Sequence, residues 1–274
     1  MKIAALQMVS SARPEENLNV ARSLLVKARD AGAELALLPE YFSTMGLHEH
    51  DKLAHAETFG TGMAQDFLAR SAQDLGLWVV GGSVPLRSAD SQRVRNSSLV
   101  YSPQGLCAAR YDKLHLFRFS RDAESFDESR TIEPGDAADQ PVQFTLVDRS
   151  ACAWRVGLSI CYDLRFPEFY RLHASAGAQL LLVPAAFTWT TGRAHWELLL
   201  RARAVENQVF VLAAAQGGRH ENGRQTWGHS MAVDPWGEVL AQQPQGAGVV
   251  VAEVLPERLA QVRNQLPALG HRRL

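Results

Sequence analysis

The chain has 274 residues, 46% of them hydrophobic and 21% charged, with a formal net charge of −1. That is apolar material for one large core or two small domains, and the even charge balance argues against bulk nucleic-acid or polyanion binding, which shows as a basic surplus. No stretch approaches the roughly eighteen uninterrupted apolar residues of a membrane span.

Lys2 to Met8 alternates loosely and predicts a first strand without the layout of a secretory signal. Pro14 opens an amphipathic helix with Leu18, Ala21, Leu25 and Ala28 on one face and Gly32 as its stop. Leu35 to Leu38 predicts a buried strand running into Pro39-Glu40-Tyr41-Phe42. Thr61 to Leu75 predicts a helix, and Leu77 to Val80 a strand stopped by Gly81-Gly82. Ser97 to Tyr101, the Pro103-Gln104-Gly105 turn and Leu106 to Lys113 predict a hairpin.

Residues 117–140 carry charges, Pro134-Gly135 and little periodicity, which predicts a long functional loop. Val142 to Leu146 should pair with Val156 to Ile160, and a helix should open over Phe166 to His173. Leu180 to Val183 is the next expected strand, then a helix over His195 to Glu206 and a strand over Val209 to Ala215. A second hairpin joins His229–Val233 to Val239–Ala241 around Pro235-Trp236-Gly237, followed by a strand at Val249–Val254 and a helix at Pro256–Leu266. Hairpins interrupt the strand–helix alternation, so a pure parallel barrel fits poorly, and continuous apolar strands need both faces covered. The expectation is a layered α/β sandwich forming a single domain over residues 1–274.

Three strand ends carry candidate chemistry. Cys161 sits where the Val156–Ile160 strand hands over to a helix, and unpaired N–H groups at a helix start favour a thiolate and can hold an oxyanion. Glu40 follows Leu35–Leu38, and Lys113 closes the hairpin strand. Ionisable groups at such edges are those most shifted by burial and neighbours. Each has a plainer reading: a small buried hydrophobe for Cys161, a helix-start carboxylate for Glu40, a solvated strand end for Lys113. Together, a base, a cation and a thiol would make a site for acyl transfer.

LLPEYF around Glu40, YDKLHLF around Lys113 and SICYDLRFPE around Cys161, in that order, resemble the three motifs of the nitrilase superfamily of carbon–nitrogen hydrolases. The match spans nearly the whole chain. TTGRAHWELLLRARAVEN (Thr190 to Asn207), AAAQGGRHENG and GHSMAVDPWGEV resemble the deaminated glutathione amidase and omega-amidase subgroup, with AAAQGGRH and LGHRRL closer to the former. The resemblance implies an α-β-β-α sandwich and a thiol amidase. In it Glu40 is the general base, Cys161 the nucleophile, and Lys113 with the Tyr162 N–H the oxyanion partners. Glu128 would position Lys113, and Arg165, with Phe187 and Thr191, would line the pocket for a 2-oxo acid. Glu128 is otherwise an exposed loop acid, and Arg165 otherwise a structural salt bridge to Glu168 or Glu206. Arg118 or Arg121, on a loop that also carries Asp122 and Glu124, is expected to meet the far carboxylate of a peptide-like substrate.

The resemblance also implies a homodimer, pairing through the Ala194–Asn207 helix and the helix after the cysteine. The three cysteines Cys107, Cys152 and Cys161 lack CxxC spacing and fit a reducing, cytoplasmic compartment. No nucleotide, flavin or metal cofactor is expected: Gly60-Thr61-Gly62 lacks a third glycine, and His48, His50, Asp51 and His55 lack a matching further ligand on a defined helix. The expected partner is a small-molecule substrate, with no nucleic acid and no membrane. A protein that kept the fold without turnover is the rival reading from another class.

Overall fold

The computed structural model describes residues 1–121 and 124–273. In chain order run β1 (Lys2–Gln7), α1 (Pro14–Asp30), β2 (Leu35–Leu37), the single turn α2 (Asp51–Ala54), α3 (Met63–Leu75), β3 (Trp78–Val80), β4 (Val84–Arg87), β5 (Val94–Tyr101) and β6 (Cys107–Asp112). A hairpin of β7 (Arg118–Arg121) and β8 (Glu124–Asp127) precedes β9 (Gln143–Val147) and β10 (Ala153–Leu158). Then come α4 (Pro167–Ser175), β11 (Leu180–Ala185), α5 (Trp189–Asn207), β12 (Phe210–Ala215), β13 (Ser230–Val233), β14 (Val239–Gln243), β15 (Gly248–Glu253) and α6 (Pro256–Gln265).

The helix ends follow from local chemistry. Pro14 occupies the first turn of α1, where its missing N–H costs nothing, with Glu15 and Glu16 at the positive end and Lys27 and Arg29 at the negative end. α3 stops at Gly76, whose φ of 62° is the left-handed conformation that glycine adopts freely.

Two mixed sheets face each other. The first has the order β15-β1-β2-β3-β5-β4, with β6 also beside β5; the second runs β14-β13-β12-β11-β10-β9. Strand periodicity sorts the side chains between two cores. Ile3, Ala5, Leu35, Leu37 and Val80 point inward and pack with Val156, Leu158, Leu182, Val211 and Ala213 of the other sheet. The alternate residues Ala4, Leu6, Ala36 and Val79 point outward and are covered by Leu18, Leu25, Leu68 and Ala72 of α1 and α3. Trp196, Leu200 and Ala204 of α5, with Phe169 and Tyr170 of α4, join the second sheet. Helix, sheet, sheet, helix is the layering expected of the sequence.

Three details differ from expectation. Residues 117–140 are not a plain loop, because β7 and β8 pair from Arg118↔Asp127 to Arg121↔Glu124. Among the described side chains of these two strands none is fully buried, so hydrophobic alternation could not reveal them. Strand β4 was not foreseen, since Pro85 sits inside it; β4 ends its sheet, where a missing N–H is tolerated. Helix α5 starts at Trp189, ahead of His195, because the Thr188 hydroxyl accepts from the Thr191 N–H at 3.3 Å and caps the added turn.

Two histidines are locked into this framework in neutral form. Burial pulls His173 down to about 4 and His220 likewise to about 4, overcoming the backbone hydrogen bonds that pull the other way. A lowered folded-state pKa means the unfolded chain binds protons first. Stability from both groups is therefore complete above the unfolded value of about 6.5 and is lost as pH falls towards 4. Urea midpoints are expected to drop between pH 7 and pH 5; an unchanged midpoint would contradict the neutral assignment. Among the described residues, no helix is long and apolar enough to cross a membrane.

Candidate active site

Glu40 and Lys113 come from the first sheet and Cys161 from the second. Glu40 leaves β2 through Leu38-Pro39, and Gly82 (φ 43°) lies so close that a Cβ there would overlap the Pro39 carbonyl. Only glycine lets that turn close against the strand end. Lys113 directly follows β6. Cys161 begins a short 3-10 turn, Cys161–Arg165, that precedes α4. Its φ is 50°, a left-handed conformation that costs a non-glycine residue on the order of 1 kcal/mol. Buried Asp163 holds the turn in place. Its carboxylate accepts from the Ile160 N–H at 2.8 Å, the Tyr111 hydroxyl at 2.6 Å and the His115 N–H at 3.0 Å.

The ammonium of Lys113 is fully buried and donates to Glu40 Oε1 at 2.9 Å and to both oxygens of Glu128 at 2.9 and 2.8 Å. Glu40 is 1% exposed, and its carboxylate also accepts from Asn96 Nδ2 at 2.9 Å and from the Ala186 N–H at 3.0 Å. The last bond runs from one sheet to the other. Glu128 further accepts from the Tyr41 hydroxyl at 2.9 Å and the Phe117 N–H at 2.7 Å. It is buried, and the exposed-acid reading of Glu128 does not hold.

These contacts decide the charges. Burial alone would pull the Lys113 ammonium down, yet the Glu128 and Glu40 carboxylates overcome it and hold Lys113 above the usual lysine range. Burial alone would push Glu128 up, and Lys113 reverses that, leaving it below the usual carboxylate range. The thiol behaves otherwise. Burial and then the Glu40 charge push Cys161 well above the usual thiol range, against the weaker pull of Lys113. The pull of the helix start towards a thiolate is thus outweighed, and Cys161 rests as a neutral thiol with a buried carboxylate as its neighbour.

Cys161, Glu40, Glu128, Tyr162, Arg165, Phe187 and Thr191 all line one cavity, with Lys113 behind its carboxylate wall. Arg165 has no carboxylate partner among the described residues, and the salt-bridge reading fails. Its Nη1 lies 3.2 Å from His195 Nδ1 and its guanidinium 5.4 Å from the Phe187 ring centre. Arg118 is not in this cavity: its exposed guanidinium lies 3.9 Å from Asp127. Arg121 is likewise exposed and does not line this cavity, while Asp122 lies outside the described residues. Sequence reasoning missed Asn96, Asp163 and Arg224. Asn96 shares its strand with Arg95, Ser97 and Ser98, so no break in an apolar pattern singled it out. Among the described residues no three His, Cys, Asp or Glu side chains form a metal-holding group.

A buried ammonium bridging two carboxylates beside a thiol is an arrangement for acyl transfer at a carbonyl carbon. The chain belongs to the carbon–nitrogen hydrolase family, whose model matches residues 2–264, and it has that family's nitrilase-type sandwich. It is 42% identical over 271 residues to a deaminated glutathione amidase from Synechocystis sp., covering 98% of this chain and 97% of the relative. It is 38% identical over 274 residues to the omega-amidase NIT2 of Bos taurus, covering 99% and 95%. Among solved structures, a variant amidase from Nesterenkonia sp. AN1, bearing acrylamide on its active-site cysteine, superposes with a TM-score of 0.78 at 28% identity, covering 98% of this chain and 99% of that one.

Proposed function

We propose that this protein is a cofactor-free thiol amidase acting on an amide of a small 2-oxo dicarboxylic acid, with deaminated glutathione as its substrate and 2-oxoglutarate and Cys-Gly as its products. The observation that carries this reading is the Glu40–Lys113–Glu128 bridge beside the Cys161 thiol, facing a cavity with an uncompensated Arg165. The relatives' activities support the substrate.

Glu40 takes the Cys161 proton as the sulfur attacks the amide carbon. The carbonyl oxygen gains the negative charge, facing the Lys113 ammonium and the Tyr162 N–H; one such donor is worth about 3 kcal/mol in the barrier. The C–N bond then breaks, Glu40 passes its proton to the departing amine, and a thioester remains on Cys161. Glu40 next takes a proton from water, whose oxygen attacks the thioester carbon. The C–S bond breaks, the acid leaves and the sulfur recovers its proton. Glu128 holds Lys113 in position, its two oxygens sharing one N–H of the ammonium and leaving another for the oxyanion. Arg165 offers two parallel N–H donors to the 2-oxo acid carboxylate, with Phe187 and Thr191 as walls.

A second reading within the class is an omega-amidase acting on 2-oxoglutaramate, favoured by the omega-amidase relative; nitrile or N-carbamoyl hydrolysis has less support. Ammonia release and product analysis across deaminated glutathione, 2-oxoglutaramate, a nitrile and an N-carbamoyl amino acid tests the reading. Turnover of none of them would leave a silent binding protein.

The same reading carries a cytoplasmic homodimer. Leu172 of α4 and Leu198 and Val205 of α5 are 48%, 68% and 48% exposed, apolar material suited to pairing of two copies. Light scattering is expected to give twice the chain mass, and Leu198→Lys to shift it towards the monomer. A monomeric wild type would end this part of the proposal.

A further inference from the structure

The catalytic cavity shares Phe117, Glu128 and Arg224 with a neighbouring cavity of about 350 Å³. Ammonia is a molecule of water's size, so the adjoining space is far larger than a primary amide's leaving group needs. The volume falls within the range of small-ligand sites. Arg165 lines only the catalytic cavity and not this one.

Arg224 stands at the junction. One of its Nη atoms donates to the Ala186 carbonyl at 2.6 Å, and its guanidinium lies 5.2 Å from the Phe126 ring centre. Its Nε is buried without a hydrogen-bond partner. Among the described residues no carboxylate pairs with it. The nearby carboxylates are already engaged, Glu128 with Lys113 and Asp127 with Ser129. Lys52, the other cation of the adjoining cavity, is also satisfied, by Glu49 at 3.1 Å and Thr131 at 3.0 Å. A guanidinium held in a wall with a donor unmet and no counter-charge is costly unless a ligand supplies both.

We propose that Arg224 is a specificity residue that captures a carboxylate on the amine side of the scissile bond, and that the adjoining cavity receives that amine. Two uncompensated arginines then flank the thiol, Arg165 for the acyl half and Arg224 for the leaving half. The preferred substrate is a secondary amide whose released amine is an amino acid or short peptide with a free carboxylate. This rests on the amidase reading above and assigns to Arg224 the contact expected of Arg118 or Arg121.

Three substrates with the same 2-oxoglutaryl group test it: deaminated glutathione, its C-terminal carboxamide and 2-oxoglutaramate. The wild type is expected to prefer the free carboxylate over the carboxamide by about 10- to 100-fold in kcat/KM, mainly through KM, as for one charge-assisted hydrogen-bonding pair. Arg224→Gln should erase that preference and reduce 2-oxoglutaramate turnover by a much smaller factor, and Arg224→Lys should restore part of it. Equal loss on all three substrates would assign Arg224 a structural role and overturn the proposal. So would a wild type that hydrolyses the carboxamide as well as the acid, a comparison needing no variant. A wild type that cleaves none of the three ends the amidase reading itself, a result distinct from loss of discrimination.

Discussion

Exchange of Lys113 for Met is expected to destabilise the protein by about 3–5 kcal/mol and to reduce turnover by a factor of about 10² to 10³ or more. The first figure is that of breaking a buried ion pair by removing one partner, and the second that of losing one oxyanion donor. Both follow from one atom, the Nζ that bridges Glu40 and Glu128 at 2.8–2.9 Å with no exposure to solvent. The pH dependence has a definite sign. In the wild type, Glu128 sits below its usual range, so its contribution is present above the unfolded pKa and is lost only as pH falls through the folded one. Lys113, held above its range, contributes fully below the unfolded lysine value and loses that only in strong alkali. In the variant, Glu128 keeps the upward push of burial without its cation. Its penalty is then relieved by protonation, so the stability gap between the two proteins should narrow from pH 8 to pH 5. Urea unfolding of both at three pH values measures this. A constant gap would mean that the bridge does not carry the charges described.

Cys161→Ala should remove turnover almost entirely, by a factor on the order of 10⁵ or more as when other covalent catalysts lose their nucleophile. It should leave stability within about 1–2 kcal/mol, because only one sulfur leaves a wall that already borders a cavity. Acid-quenched wild type incubated with substrate should carry a 2-oxoglutaryl group on the peptide containing Cys161, and the variant should carry none. Residual turnover in the alanine protein above about one part in a thousand, with its far-UV spectrum intact, would exclude the thioester route.

Much of the site was legible because strands ending in ionisable residues are unusual. Glu40 and Cys161 each follow an apolar run and Lys113 closes a hairpin strand, and the chain brings the three to one place. The layers were legible for a similar reason: a fully apolar segment such as Leu180–Ala185 has to be covered on both faces. Other features depended on contacts that no short window contains. Arg224 lies in a polar stretch, Arg219–Gln225, where a guanidinium looks solvated; its surroundings come from Ala186 and Phe126, distant in sequence. Asp163 looked like one polar residue of a turn, yet it gathers Tyr111, His115 and Ile160 around its carboxylate. The strength of the upward push on the Cys161 thiol was not legible, because a local helix-start argument omits burial and the facing Glu40.

The Ala186 N–H donates to Glu40 and so ties the proposed proton acceptor on one sheet to the backbone beside the proposed nucleophile on the other. Catalytic alignment is therefore a property of the seam between two halves, and neither half contains it alone. A slip of one layer past its mate by a fraction of an ångström would separate acceptor from sulfur while every ladder of hydrogen bonds stayed whole. The enzyme's rate is in that sense a gauge of how firmly its two plates are clasped.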